Sequence, residues 1–346
     1  WLVEEKVDSL IKTVLIVGLG SIGRRHVGII QSIFPDINII VLRHKQCNSN
    51  DIKALGLYKC VTSINEAIEL DPQAAIISNP ASKHIEISKI LANKGINLLI
   101  EKPISDSSKG VRELIDICYQ NKVVLMTGYN LRFLPSLIEF KKQIFSKKIG
   151  KIYSVRSEIG QYLPSWRPGT DYRKDVSAQK SLGGGALLEL SHEIDYLSWI
   201  FGRVDWVKSH VSKQSDLEID VEDSAYVVLG FEEINGNALT ASLNIDFIRH
   251  DTTRKCFAIG EKGTLLWDGI KGQVKFFEKS SKRWEILFLS SPDRSFTYIE
   301  EIKSFFLSVE ANIRPSITGE DGLQAVNIVE SIKKSSGDNS IIFCQK

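Results

Sequence analysis

Residues Thr13 to His26 read Thr-Val-Leu-Ile-Val-Gly-Leu-Gly-Ser-Ile-Gly-Arg-Arg-His. No other stretch limits the fold as tightly. Val14 to Val17 form a short apolar run that suits a buried strand, and it leads directly into Gly18-x-Gly20-x-x-Gly23, after which Arg24 to Ser32 can continue as a helix. A strand, a glycine turn and a helix in that order are what a dinucleotide fold requires. Gly18 permits the tight turn, Gly20 lets the backbone approach a pyrophosphate, and Gly23 allows helix and strand to pack closely. The pyrophosphate would rest on the unpaired N–H groups at the helix start, at Ser21, Ile22 and Gly23, where the helix dipole favours negative charge.

A chain of 346 residues is long enough for two domains, at roughly 150 residues each. A formal net charge of +2 argues against nucleic acid or an anionic membrane surface as partner. No apolar run approaches the ~20 residues of a membrane span. The start, Trp1-Leu-Val-Glu-Glu-Lys6, has no signal-peptide pattern. Five cysteines without a CxxC pair predict reduced thiols in a cytoplasm, with neither disulfides nor a metal centre.

Downstream of the glycine turn, strands and helices alternate. A strand at 37–42 ends at Arg43, twenty residues beyond Gly23. An NAD site usually offers Asp or Glu there to hold the ribose hydroxyls. Arg43, followed by His44 and Lys45, suits a 2′-phosphate instead, so NADP is favoured over NAD. A short helix at 64–70 and a strand at 74–78 lead to Asn79-Pro80. A helix over 82–93 and a strand at 97–100 lead to Glu101-Lys102-Pro103. Open parallel sheets bind ligands beyond the C-terminal ends of their strands, which places Asn79, Pro80, Glu101 and Lys102 on a cofactor rim. A helix at 107–120 and a strand at 123–127 complete a doubly wound α/β domain.

The glycine loop, the Glu101-Lys102-Pro103 triplet and Gly128-Tyr-Asn130-Leu-Arg132-Phe133 together resemble the Gfo/Idh/MocA oxidoreductases, and the similarity covers nearly the whole chain. The resemblance implies a Rossmann domain over 1–128. It implies a second, α+β domain over 129–346 that binds substrate through a large, mainly antiparallel open sheet and forms a homodimer or homotetramer through it. It also implies a constrained peptide before Pro103, with cis as a candidate geometry, and substrate contacts from Asn130 and Arg132.

The second half begins with a helix from Pro135 and a strand at 151–161. Seven further strands are readable between 206 and 289, with turns at Asn235-Gly236, Glu261-Lys262-Gly263 and Lys271-Gly272. Between them and the first strand lies a loop, Tyr162 to Arg173, where aromatic and charged groups interleave as in sugar sites. By resemblance Trp166 and Arg167 reach the nicotinamide half of the cofactor, and Tyr172 and Arg173 face substrate. Gly183-Gly-Gly185 then opens a helix carrying Glu189, His192 and Asp195. Family members place a catalytic histidine at His192. Inositol-dehydrogenase-like members carry Asp where this chain has Leu188; Glu189 and Asp195 are within helical reach of His192, and which carboxylate orients it, if any, is left open. Two helices at 298–312 and 321–335 are expected to brace the domain interface.

These features predict an NAD(P)-dependent oxidoreductase acting on a hydroxyl of a sugar or sugar derivative, including nucleotide sugars and acidic sugars. Lys102 and His192 would converge on the hydroxyl from different domains, His192 as general acid/base and Lys102 on the developing alkoxide. The competing class is a non-catalytic dinucleotide-binding regulator, which would keep the glycine loop without the proton-transfer pair. A tightly bound, internally recycled cofactor is a further variant.

Overall fold

The computed structural model describes residues 11–45, 47, 49–233, 238–291 and 293–345, leaving aside the side chains of 49–51 and 294. Trp1–Lys6 and the Asn235-Gly236 turn lie outside these residues. The chain forms two compact units. The first takes residues up to Ile104, Lys109–Gly128 and Tyr298–Glu320; the second takes Ser105–Ser108, Tyr129–Thr297 and the chain from Asp321. The segment 298–320, expected with the second domain, therefore belongs to the first.

The first unit runs β1 (Thr13–Val17), α1 (Ser21–Ile33), β2 (Asn38–Leu42), α2 (Ser49–Ala54), β3 (Lys59–Val61), α3 (Ile64–Glu69), β4 (Ala74–Ile77), α4 (His84–Ala92), β5 (Asn97–Glu101), α5 (Val111–Gln120) and β6 (Leu125–Gly128). Its six strands are parallel, in the order β3-β2-β1-β4-β5-β6. Val14 to Ile16, Ile39 to Val41, Ala74 to Ile77 and Leu98 to Ile100 are almost wholly buried, as continuous apolar strands covered on both faces must be. The strand order reverses between β1 and β4, and at such a switch point the loops diverge to leave a crevice for ligand.

The edge strand β3 and the helix α2 are additions to the expected pattern. β3 sets Cys60 beside Val41 of β2. Its disulfide to Cys47, with Cα atoms 6.0 Å apart, corrects the expectation that all cysteines are free. That separation is comfortable for a disulfide, and a thirteen-residue sequence spacing does not reveal it. Cys118, Cys256 and Cys344 are thiols.

The second unit contains α6 (Pro135–Phe145), β7 (Ile152–Gly160), α7 (Ala186–Glu189), α8 (His192–Phe201), β8 (Val204–Ser212), β9 (Ser224–Phe231), β10 (Thr240–Asp246), β11 (Thr253–Gly260), β12 (Gly263–Asp268), β13 (Gln273–Glu278) and β14 (Arg283–Leu289). The chain closes with α9 (Arg294–Ala311), α10 (Gly319–Asp338) and β15 (Ile342–Phe343). Nine strands form one sheet, β14-β13-β12-β11-β7-β10-β9-β8-β15. Every neighbouring pair is antiparallel except β7 and β10, which run parallel. In β10, Ala241, Leu243 and Ile245 are buried while Thr240, Ser242 and Asn244 are exposed. That period of two shows a sheet with one covered face. On the covered face Tyr196 of α8 meets Trp267 edge-on with ring centres 5.2 Å apart, and its hydroxyl hydrogen-bonds Ser157 of β7 at 2.6 Å.

Candidate active site

The glycine turn in the first unit has the geometry its spacing predicts. Gly18 sits at φ +94°, and a Cβ there would lie 2.8 Å from the Asn79 amide nitrogen. A Cβ on Gly23 would lie 2.1 Å from the Gly18 carbonyl oxygen, so α1 packs on the turn at a distance only glycine allows. Around Gly20 no atom lies within 4 Å of a built Cβ. No side chain caps α1, and its first turn carries no acidic residue, so the N–H groups of that turn are presented to an incoming anion. Gly20 and Ser21 are exposed, and Ile22 is half-buried.

The ends of β2, β4 and β5 bring the remaining rim residues to the same edge of the sheet. Arg43 follows β2, its amide donating to the Val61 carbonyl at 3.1 Å, and it makes no salt bridge among the described residues. Asn79 and Pro80 follow β4. The Asn79 Oδ1 is buried without a hydrogen-bond partner among the described residues, and such an orphaned acceptor calls for a ligand or water. Glu101 ends β5, and the Lys102–Pro103 peptide after it is cis. An uncapped helix start, an open glycine and an orphaned amide oxygen along one edge fit a dinucleotide.

Three buried residues that the sequence did not single out lie behind this rim. His84 ties two of its loops together: Nε2 lies 2.7 Å from the Asn79 carbonyl oxygen and Nδ1 lies 3.1 Å from that of Pro103. Burial pushes the His84 pKa down, against hydrogen bonding to Asn79 and the charge of Glu101. His26 meets the Glu101 carboxylate at 2.6 Å. Glu301 of α9 joins them, and one nitrogen or oxygen of each of the three lies within 4.8 Å of the others. His26 stands three residues past Gly23 on the helix face that Gly23 packs, which is the one sequence signal that could have found it.

In the second unit, His192 is the first residue of α8, buried to 9% exposure. Its ring meets Tyr129 edge-on with centroids 5.7 Å apart. The expected continuous helix from the triple glycine is in fact two, α7 and α8. They are separated at Leu190 and Ser191, where Leu190 leaves helical geometry with ψ of 25°. The Leu188-to-His192 spacing is therefore not that of one regular helix. Of the two candidate orienting carboxylates, Asp195 gives both oxygens to Arg132, at 3.0 Å from Nε and 2.7 Å from a terminal nitrogen. Glu189 accepts from the Ser177 hydroxyl at 2.9 Å.

Several residues expected at substrate are engaged within the second unit. Arg132 is buried, and it also donates to Asp321 at 3.1 Å. Burial raises the Asp195 pKa to about 6 in spite of the guanidinium beside it. Asn130 donates to the Thr297 hydroxyl at 2.9 Å. Arg173 spends its fork on Asp171 and Glu218 at the surface. Trp166 donates to the Gln161 carbonyl at 3.1 Å and packs edge-on against Phe247, while Arg167 pairs with Asp175 at 2.9 Å. The Tyr172 hydroxyl accepts from the Glu218 amide at 3.2 Å. Tyr162 stacks at 4.2 Å on His250. The side chains of this loop are thus engaged in contacts within the second unit.

Comparison with known proteins agrees with this geometry. Residues 12–129 match the model of an oxidoreductase family with an NAD-binding Rossmann fold, and residues 137–266 match a GFO/IDH/MocA C-terminal domain. Myo-inositol 2-dehydrogenase of Thermotoga maritima is 27% identical over 331 residues, covering 92% of this chain and 95% of that protein. Among solved structures, levoglucosan dehydrogenase in complex with NADH superposes with a TM-score of 0.82 at 20% identity, covering 96% of this chain and 99% of that one. The WlbA dehydrogenase of Bordetella pertussis, in complex with NADH and UDP-GlcNAcA, gives 0.79 at 20% identity, covering 96% and 99%. Among the described residues no helix is long and apolar enough to cross a membrane.

Proposed function

The chain belongs to the Gfo/Idh/MocA family of oxidoreductases, and from that premise we propose that it is an NADP-preferring dehydrogenase whose proton-transfer pair is Lys102 and His192. In general terms it is an NAD(P)-dependent oxidoreductase that moves a hydride between the nicotinamide and a hydroxyl-bearing carbon of a sugar or sugar derivative. The observation that carries this reading is the rim of the first unit. There an uncapped helix start, open space at Gly20 and an orphaned Asn79 oxygen stand beside Arg43 and Lys102.

Bound dinucleotide supplies the hydride acceptor or donor. The chain's own residues do the rest. The α1 amides hold the pyrophosphate, and Arg43 pairs with the 2′-phosphate as a charge-assisted fork. His192 takes the proton of the substrate hydroxyl as the alcohol is oxidised and returns it in the reverse direction. The Lys102 ammonium stabilises the alkoxide that forms. Trp166, Arg167 and Tyr172 contribute to the nicotinamide and substrate contacts. Arg132 and Asn130 support α8 and the chain after β6 from within. The substrate class is a nucleotide sugar or acidic sugar. The exposed sheet face with Tyr226 and Val228 suits a homodimer or homotetramer.

Calorimetry with NADP and NAD on the wild type and on Arg43→Ala tests cofactor choice. The loss of one charge-assisted contact predicts about ten- to a hundred-fold weaker NADP binding, with NAD unchanged. Lys102→Ala and His192→Ala should each lower turnover by orders of magnitude on a panel of nucleotide sugars and sugar acids, with NADP affinity held within a few-fold. The double variant should lose little more than either single one. Wild-type turnover in either single variant overturns the assignment of that residue.

A further inference from the structure

Glu301 lies on α9 in the first unit with no exposed surface, and neither of its carboxyl oxygens has a hydrogen-bond partner among the described residues. Its neighbours make the position stranger. One of its oxygens belongs to the set of three atoms, with His26 and Glu101, that lie within 4.8 Å of one another. The Glu101 carboxylate is already committed: Oε1 meets His26 Nε2 at 2.6 Å, and Oε2 faces the amide of Lys102 at 3.3 Å. The titratable and charged groups around Glu301 are Glu101 at the end of β5, His26 and Arg25 on α1, and Tyr298 one turn earlier on α9. Arg25 is turned to the Tyr298 ring, 4.8 Å from its centre. Two ionised carboxylates this close and out of water, with no Lys or Arg paired to either among the described residues, would repel strongly, so the cluster must hold a proton that offsets one of the charges.

We propose that Glu301 is a positioning residue held as a neutral carboxylic acid, which keeps the Glu101 carboxylate seated on His26 and so fixes the start of the Lys102–Pro103 turn. Glu101 is the one to carry the charge, because it has two hydrogen-bond donors and Glu301 has none. Burial and the Glu101 charge both push the Glu301 pKa well above the ordinary carboxylate value. Ionising Glu301 would drive Glu101 off His26, and Lys102, the next residue in the chain, would move with it. On the other side a Cβ on Gly128 would lie 3.2 Å from the Glu101 Cα and 3.3 Å from its Oε2, so the glycine of β6 is what leaves the Glu101 carboxylate its place.

The part played by Lys102 rests on the proposed dehydrogenase activity, so the test has one arm that does not need it. Thermal unfolding of the full chain is followed from pH 5 to pH 8 for wild type and Glu301→Gln, with and without EDTA. A carboxyl whose folded pKa is raised binds more protons folded than unfolded. Its stabilising contribution is therefore complete below the unfolded value and is lost as pH rises toward the folded one. Glutamine keeps the shape and the neutral state and does not titrate. The wild type should fall behind Glu301→Gln by about 2 °C for each pH unit, and EDTA should change neither protein. A gap that stays flat with pH overturns the neutral acid. A wild-type midpoint lowered by EDTA and restored by Zn2+ or Mn2+, with no such effect in Glu301→Gln, would assign the neutralising role to a cation and overturn it too.

In the kinetic arm Glu301→Gln should keep turnover within two-fold, while Glu301→Leu, which leaves the Glu101 carboxylate no polar group on that side, should lose about ten-fold in kcat with KM for NADP within two-fold. Wild-type kcat in the leucine variant overturns the positioning role. Loss of activity in the glutamine variant does so as well. Absence of turnover in the wild type would count against the dehydrogenase reading alone, and the unfolding arm would still decide the state of Glu301.

Discussion

Each unit of this protein sets a buried carboxylate close to a second one, and the two pairs are neutralised in different ways. In the second unit Asp195 and Asp321 share the guanidinium of Arg132, which makes a bidentate pair with Asp195 and a third contact to Asp321. In the first unit, among the described residues, Glu101 and Glu301 have no guanidinium or ammonium between them, only a histidine and one backbone amide on Glu101. A guanidinium cannot lose its proton at working pH, so the Arg132 cluster beneath α8 keeps its cation whether or not Asp195 is ionised. The Glu101 cluster, in the reading proposed above, relies on a proton alone. The first cluster supports the helix that His192 begins, and the second adjoins Lys102.

The comparison can be broken most severely at Arg132. Replacing it with Met leaves Asp195 buried without its cation, and removal of one partner from a buried pair costs ~3–5 kcal/mol. Denaturant unfolding at pH 7 should show that loss. The sign of its pH dependence follows from the raised Asp195 value of about 6. Without Arg132 that value rises further, protonation then relieves the unpaired charge, and the deficit should shrink on going from pH 7 to pH 5. A deficit that grows on acidification would mean that Asp195 is not the group left behind.

A smaller effect sharpens the contrast from the other side. Asp195→Asn keeps one acceptor for Arg132 and removes the charge, so the cost should be about 1–3 kcal/mol at pH 7. Because the folded pKa of the wild-type carboxyl is raised, its stability is greatest below the unfolded value near 4 and declines as pH climbs through about 6. The deficit of the asparagine variant should therefore be larger at pH 5 than at pH 7. Paired denaturation curves at the two pH values decide it.

The smallest effect is expected where the same residue types meet in water. Arg173 is bonded to Asp171 and Glu218 as a full fork, yet its side chain is half exposed, and exposed pairs contribute little. Arg173→Ala should leave the unfolding midpoint unchanged within error. Strong destabilisation there would show that the 162–175 loop depends on its ion pairs, which the contrast between buried and exposed clusters denies.

Much of the fold could be read from local pattern. The run Val14–Val17 before Gly18-x-Gly20-x-x-Gly23 identifies β1 and α1 because a glycine turn, a buried strand and an uncapped helix are all local requirements. The alternation of β10 shows a one-sided sheet for the same reason. What failed was non-local. β3 is three residues of an edge strand recognisable only by its pairing with β2, and the Cys47–Cys60 bond exists because that pairing brings the two together. The parallel pairing of β7 with β10 likewise depends on chain path and leaves no mark in either strand.

The site divides along the same line. The sequence by itself determined the glycine turn and the places of Arg43 just after β2 and Lys102 just after β5, since each follows from position along a strand that periodicity already defines. Only the tertiary structure decided which polar residues are consumed. Arg132 and Asn130 look like substrate contacts in a motif, but their forks are spent on Asp195, Asp321 and Thr297, residues between 63 and 189 positions away. His26, His84 and Glu301 gained their places behind the rim in the same way, through partners far off in sequence. The physical reason is that burial sets the energy of a charged or polar group through whatever surrounds it in space, and hydrophobic period and glycine spacing carry no record of those neighbours.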